Sequence, residues 1–385
     1  MTIHPEHEAP DYSEGVDPED ADTDASAGGA DAILLGPDTA AAGERLDKYL
    51  AGRLDDVSRS RVQQWIALGA VSVDGVPRSA KARLSGRERI RVVPLPHEAE
   101  RAYEPDPVPL AIVHEDEDLL VVDKPPGLVV HPAAGNWRGT LMNGLLHHRP
   151  DSAALPRAGI VHRLDKDTSG LMVVARSERA VASLVAQMAS RTASRRYLAL
   201  AEGRLPAQST IDAPIGRDPA DRTRMAANVP GKPARTHLQA VAEGALGDWP
   251  LTLALARLDT GRTHQIRVHL RHLGHPIVGD PVYGRRLART DVIGRQALHA
   301  WRLSLAHPAD GRWMDWNSAV PSDVGQALAA VGISTQAALA RAAALDLAHR
   351  EAARERAAEE ERTSWSEGAQ AAPATGAVRV RTGKR

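Results

Sequence analysis

The 385-residue chain contains no cysteine and no phenylalanine, and its aromatic residues are 7 Trp and 5 Tyr. Without cysteine there is no disulfide framework, no thiolate-ligated zinc or iron–sulfur centre and no thiol nucleophile, which fits a reducing compartment. Without phenylalanine the core must rest on Leu, Val, Ile and Ala. No apolar run approaches the roughly 18 residues that a membrane-spanning helix needs. The opening "MTIHPEHEAPDYSEG" is acidic where a secretory signal would be basic and then apolar. These absences lead us to expect a cytoplasmic protein with no membrane partner.

Basic residues are absent from one long stretch. Residues 1–43 hold eleven Asp or Glu and no Lys or Arg, with too few apolar side chains to offset the entropy of ordering, so an acidic disordered tail is expected there. The formal net charge of -1 therefore hides a basic body. Such a body suits a polyanionic partner, although charge of this size is equally compatible with a solvated surface.

What is present begins at Glu44. In "ERLDKYLAGRL", Leu46, Tyr49, Leu50 and Leu54 fall on one helical face. In "SRSRVQQWIALG", Ser58 can cap a helix whose Val62, Trp65 and Ile66 point inward before Gly69 ends it. Alternating Val71 and Val73 then reach an Asp74-Gly75 turn, and a second alternating run passes through Ile90 and Val92. From Glu44 to Pro94 there are 11 basic and 6 acidic residues, and Arg45, Arg53, Arg59 and Arg61 lie off the apolar stripes. The stretch "RLDKYLA…SRSRVQQWIALGAVSVDGVP" resembles the S4 RNA-binding module over about fifty residues. That resemblance makes RNA the expected polyanion, with Arg45, Lys48, Arg59 and Arg61 as its contacts and 44–95 as a small α/β domain.

Residues 96–109 contain four prolines, three of them in "EPDPVP", and read as a linker. From residue 110 to 328, short apolar runs alternate with helical stretches near 179–191 and 263–273, the pattern of an α+β domain on a largely antiparallel mixed sheet. Residues 333–385 are rich in Ala, Arg and Glu with a sparse apolar stripe, which predicts a solvated helix followed by a disordered end.

The chemistry concentrates in three stretches. If "GIVHRLD" is a strand, Arg163 and Asp165 share one face roughly 7 Å apart, and "KDTSG" supplies a turn before the buried run "LMVVA". On that motif alone a plain surface ion pair is the better explanation, and the two further stretches change that. The second stretch, "RRYLAL", sets Tyr197 in an apolar strand behind Arg195 and Arg196. The third, "LDTGRTHQIRVHLRHLGHPIVGDPVYG", ends a strand at Asp259, turns at Gly261 and opens a helix. There Ile266, Leu270 and Leu273 are expected to pack while His264, Arg267 and Arg271 face away.

Taken together, "HRLDKDTSGL", "RRYLAL", "GRTHQIRVHL", "GHPIVGDPVYG" and "RQALHAWRL" strongly resemble the RluA type of pseudouridine synthase, in the family's order, over roughly residues 110–325. The resemblance implies Asp165 as the catalytic aspartate, Tyr197 as the aromatic against the target base and Arg267 as the cation paired with Asp165. It also implies Arg163 as the residue that enters the RNA stack once the base has left it. Rejoining uracil to ribose through C5 is an isomerisation, so no redox cofactor, metal or ATP is expected. Met188 and Leu305 stand where that family suggests phenylalanine.

Three rivals are weaker. "HRLD" superficially suggests a kinase catalytic loop, but the glycine-rich loop is missing and Asp-Phe-Gly cannot exist without Phe. His269, His272 and His275 spread around a helix by about 240°, too far for one metal. A non-catalytic S4 RNA-binding protein or an S4-bearing RNA methyltransferase remains the alternative, with "VVDKPPG" a poor cofactor loop. Synthases acting on large-subunit ribosomal RNA are the most similar by analogy, and a monomer is expected.

Overall fold

A computed structural model describes residues 32–36, 38–55, 57–95, 102–133, 135–221, 223–285 and 292–351. The chain divides into two compact units, residues 1–108 with 131–147, and residues 109–130 with 148–385.

In the first unit, β1 (Ile33–Leu35), α1 (Leu46–Arg53), α2 (Arg59–Ala67), β2 (Val71–Val73), β3 (Val76–Pro77) and β4 (Ile90–Val92) follow one another. The antiparallel sheet runs β1-β4-β2-β3. Both helices pack as the apolar spacing requires, with Leu46, Tyr49, Leu50, Val62, Trp65 and Ile66 in one core with Val71, Val73, Ile90 and Val92. Ser58 accepts a hydrogen bond from the Arg61 N–H and so caps α2. Asp74 and Gly75 both have positive φ, 50° and 79°, the backbone a tight hairpin needs to match strand twist.

Two sequence expectations fail here. The acidic tail over 1–43 does not extend to Gly43: Ile33–Leu35 pairs with β4, and Ala41 joins the core. The apolar triplet Ile33-Leu34-Leu35 supplies a sheet edge that the surrounding acidic composition masks. Residues 1–31 lie outside the described residues. The linker over 96–109 also needs correction for 102–108, because the buried Asn143 on α3 (Leu141–His148) donates to the Ala102 and Glu104 carbonyls at 2.9 and 2.8 Å. Residues 96–101 lie outside the described residues.

The second unit is built on a nine-stranded sheet. Its strands are β5 (Ile112–Glu115), β6 (Leu119–Lys124), β7 (Ser169–Ala175), β8 (Ser194–Glu202), β9 (Gln208–Asp212), β12 (Arg235–Leu246), β13 (Trp249–Leu258), β14 (Leu298–Ala306) and β15 (Trp313–Asn317). They lie in the order β5-β6-β7-β14-β8-β13-β12-β9 with β15 on β14, and only β7 and β14 run parallel. Strands β10 (Ile215–Arg217) and β11 (Met225–Ala227) form a separate ribbon. This is the α+β architecture with a largely antiparallel mixed sheet that the pattern of apolar runs implies. Every residue of β7 is buried, because α4 (Glu178–Ala189) covers one face, where Ala180, Leu184 and Met188 pack against Leu171, Val173, Leu303 and Leu305. Met188 and Leu305 thus fill core space with aliphatic volume.

"GIVHRLD" is extended but is not a strand. Only Ile160 bridges, to Val174, and the chain then leaves the sheet edge. The turn lies at Asp165–Thr168, closed by the Thr168 N–H donating to the Asp165 carbonyl at 3.1 Å. Gly170 sits inside β7, where φ is +113° and a Cβ would lie 2.2 Å from the Ala300 carbonyl oxygen. Only glycine lets the parallel neighbours approach so closely.

Downstream come α5 (Gln265–His272), α6 (Ser322–Ala330) and α7 (Thr335–Glu351). Leu273, expected to pack with Ile266 and Leu270, is exposed. The solvated helix expected over 333–385 is also corrected for α7. Ala338, Ala342 and Asp346 are buried, and Asp346 pairs with the buried Arg196 of β8 and with Arg350. The apolar stripe is sparse because an ion pair and two alanines do the docking. Residues 352–385 lie outside the described residues.

Candidate active site

The turn after Leu164 presents Asp165 at the end of a segment anchored from below. Leu164 is buried, and His162 Nε2 accepts a hydrogen bond from the Val173 N–H at 3.0 Å. The turn itself is held from two sides. Buried Lys124 uses its ammonium group on the Pro125, Leu128 and Lys166 carbonyls at 2.8, 3.0 and 2.9 Å. Burial pulls Lys124 down to about 7, against the pull of Asp165 and Asp167. From the other side, Arg295 donates to the Asp167 carbonyl at 2.9 Å and pairs with Asp323. Asp165 is thus carried on a rigid loop.

Opposite it, α5 presents Arg267. Its Nη1 donates to Asp165 Oδ2 at 3.0 Å, while Nε and Nη2 grip both oxygens of Asp280 at 2.8 and 2.9 Å. Asp280 is fully buried, and its Oδ1 also accepts from the Val282 and Tyr283 N–H groups. Burial alone would raise the Asp280 carboxyl, but Arg267 and the backbone donors hold it below the usual range. Burial likewise opposes charge on Arg267, and Asp280 with Asp165 more than offsets it. The result is a fixed cation with one free edge aimed at Asp165.

His264 has a positive φ of 56° at the N-cap of α5, which turns its ring toward Asp165, Nε2 to Oδ1 at 4.0 Å. Its Nδ1 lies 2.8 Å from the Tyr283 hydroxyl, which itself accepts from the Met225 N–H. Burial keeps His264 below its ordinary pKa and so neutral. The Arg267 guanidinium lies 5.0 Å from the Tyr283 ring centroid.

Tyr197 is buried in β8, and burial raises its hydroxyl, with smaller effects from Arg195 and Asp165. Arg163 is exposed beside the turn. The structure therefore brings Asp165 and Arg267 into contact and leaves Arg163 at the surface. Sequence reasoning assigned no role to Asp280, Tyr283, His264 or Lys124, although "GDPVYG" and "DKPPG" contain three of them. An acid three residues before an aromatic in a Gly/Pro turn was the available signal.

Of the three suspected metal-binding histidines, His272 is exposed and the other two have separate structural partners. His269 lies between Thr236 and the Ala213 carbonyl at 2.8 and 3.0 Å, and His275 lies on the Glu202 carbonyl at 2.8 Å.

In the S4-like unit, Arg45 and Arg59 converge on the fully buried Asp47, at 2.8 and 3.1 Å, and Gln63 donates to the same carboxylate at 2.6 Å. Burial would raise Asp47, but these three donors hold it far below the usual range. Lys48 pairs with Glu44 at 3.0 Å. Arg61 lies over the Trp65 ring and donates to the Leu95 carbonyl at 3.1 Å. The basic side chains are thus pre-oriented by internal partners.

A family model described as RNA pseudouridylate synthase matches residues 118–272, and an S4 domain model matches residues 44–90. Ribosomal large subunit pseudouridine synthase D of Nitrosomonas europaea is 49% identical over 296 residues, 75% of this chain and 85% of that protein. The chain belongs to the RNA pseudouridylate synthase family. Two further members carry the same description. That of Neisseria meningitidis is 50% identical over 293 residues, 74% of this chain and 77% of its own, and that of Escherichia coli is 46% identical over 294 residues, 73% and 89%. This pseudouridine synthase carries its acid, its aromatic residue and its paired arginine in the second compact unit, and its S4 domain in the first.

Proposed function

We propose that the enzyme converts uridines of large-subunit ribosomal RNA to pseudouridine, acting in the cytoplasm as a monomer without a cofactor. The observation that carries this reading is the Asp165–Arg267 contact at 3.0 Å, with Arg267 fixed from behind by Asp280. The names of the relatives above support the choice of RNA.

In this reading Asp165 is the catalytic carboxylate. The N1–C1′ bond of uridine breaks, uracil turns within the site, and a C5–C1′ bond forms. The C5 hydrogen leaves as a proton and N1 takes one up, so the formula is unchanged. Arg267 donates to Asp165 and holds its orientation in a site that the base makes drier. Tyr197 forms the wall against which the detached base turns. Arg163 occupies the gap left in the RNA stack, offsetting part of an extrusion cost of a few kcal/mol. Arg45, Lys48, Arg59 and Arg61 hold phosphates.

Pseudouridine mapping on ribosomal RNA from cells with and without the gene tests this. Loss of pseudouridine at defined large-subunit positions, restored by the wild-type gene, is expected. An unchanged ribosomal map would overturn the choice of RNA.

A further inference from the structure

Among the described residues, four arginines are buried in the second unit: Arg195, Arg196, Arg267 and Arg295. Three have carboxylates, Arg196 on Asp346, Arg267 on Asp280 and Asp165, and Arg295 on Asp323. Arg195 is different. It is 8% exposed, its Nε is buried with no hydrogen-bond partner, and among the described residues it forms no ion pair. An uncompensated buried cation is costly, so a chain that keeps one gains something from it elsewhere.

Its surroundings indicate where. Arg195 stands two residues before Tyr197 on β8, so both side chains project from one face of the sheet. Its charge partly offsets the rise that burial imposes on Tyr197, and adds to the lowering that burial imposes on His162, three residues before Asp165. On its far side lies Gly261, in the loop between β13 and α5 that leads to Arg267. A Cβ on Gly261 would meet Arg195 Nη1 at 2.8 Å, and the three nearest heavy atoms all belong to Arg195. Gly261 does not have a positive φ, so its backbone does not require glycine. A side chain there would instead push the guanidinium aside.

We propose that Arg195 is a further substrate-contacting residue, whose guanidinium donates hydrogen bonds to an oxygen acceptor of the target nucleotide, a uracil carbonyl or its phosphate, seated against Tyr197. The inference rests on the assignment of Asp165 and Tyr197 to the catalytic centre. The incoming oxygen supplies the acceptor that the folded chain lacks.

The test uses the full-length enzyme and a ribosomal RNA fragment, with single-turnover tritium release and thermal melting measured on R195A, R195K, G261A and D165N. The proposal expects R195A to slow turnover by about 10- to 100-fold, the worth of one charge-assisted hydrogen bond. Its melting temperature should be unchanged or higher, because an unpaired buried charge has been removed. R195K should recover part of the rate. G261A, which leaves Arg195 in the sequence but pushes it aside, should reproduce the loss. Turnover equal to wild type in R195A, or a fall that only tracks a lower melting temperature, would overturn it.

Substrate arms identify the acceptor. Fragments carrying 2-thiouridine or 4-thiouridine at the target, or a neutral methylphosphonate beside it, should slow wild type at one of these positions and leave R195A indifferent to that change. Additive effects at every position would contradict a direct contact. If D165N retains turnover, the catalytic assignment itself fails. If D165N is inactive and R195A is normal, only the role of Arg195 fails.

Discussion

Arg267 is held by Asp280 through two hydrogen bonds of 2.8 and 2.9 Å, and this grip leaves a single guanidinium nitrogen to meet Asp165. Removing one partner of a buried ion pair typically costs about 3–5 kcal/mol, because the other charge stays behind. Asp280→Asn should therefore lower the melting temperature and, in the protein that remains folded, slow turnover at least tenfold as Arg267 loses its fixed orientation. Single-turnover tritium release at a temperature where the variant is folded checks this. An unchanged rate would mean that Arg267 needs no support from behind.

Stability should fall with acid before the carboxylates titrate. Burial lowers His162 to about 3, helped by Arg195, and lowers His299 to about 4. Both are depressed relative to the unfolded chain. Their contribution is thus fully present above the ordinary histidine value near 6.5, and it is lost as pH falls toward 3 to 4. Across that window each histidine should remove about 1.4 kcal/mol per pH unit. Urea unfolding at a series of pH values should show a decline that begins below about 6.5. A flat profile down to pH 5 would contradict it.

Helix α7 yields a third expectation. Asp346 is the buried partner of Arg196, the residue before Tyr197, so Asp346→Ala leaves an arginine unpaired inside the sheet face. A clear loss of thermal stability is expected, with Arg302 and Arg350 unable to compensate. If the helix were solvated, the same change would leave melting untouched.

Much of this molecule was legible in its residues. The helix faces of α1 and α2, the Asp74-Gly75 hairpin and the burial of β7 follow from periodicity and turn chemistry, which are local. The Asp165 turn, Tyr197 on β8 and Arg267 on α5 were marked by motif, and the fold brings Asp165 and Arg267 together. What escaped was long-range. Asp280 acts only because β14, β8 and α5 place it behind Arg267, and Asp47 looks like any helix-surface acid until Arg45 and Arg59 close over it. The strand Ile33–Leu35 and the helix α7 were hidden for another reason. Average composition was acidic in one case and Ala/Glu/Arg-rich in the other, while three apolar residues or one buried aspartate decided the packing.

For the S4 domain, replacing Arg59 and Arg61 with Ala should weaken binding to folded RNA and flatten the log–log salt dependence by about 0.7 to 0.9 per lost phosphate contact. Turnover at saturating RNA should hardly change. Because Arg59 also holds Asp47, melting must be measured alongside, and Arg61→Ala alone separates the two effects. An unchanged salt slope in folded protein would remove these residues from the RNA grip.

The central claim is that the carboxylate of Asp165 performs the isomerisation. Asp165→Asn removes its charge at nearly constant shape and leaves the Arg267–Asp280 pair in place. Tritium release from C5-labelled ribosomal RNA, measured with RNA affinity on the same samples, tests it most directly. The account predicts affinity near wild type with no detectable release, whereas substantial release by the asparagine variant would contradict it.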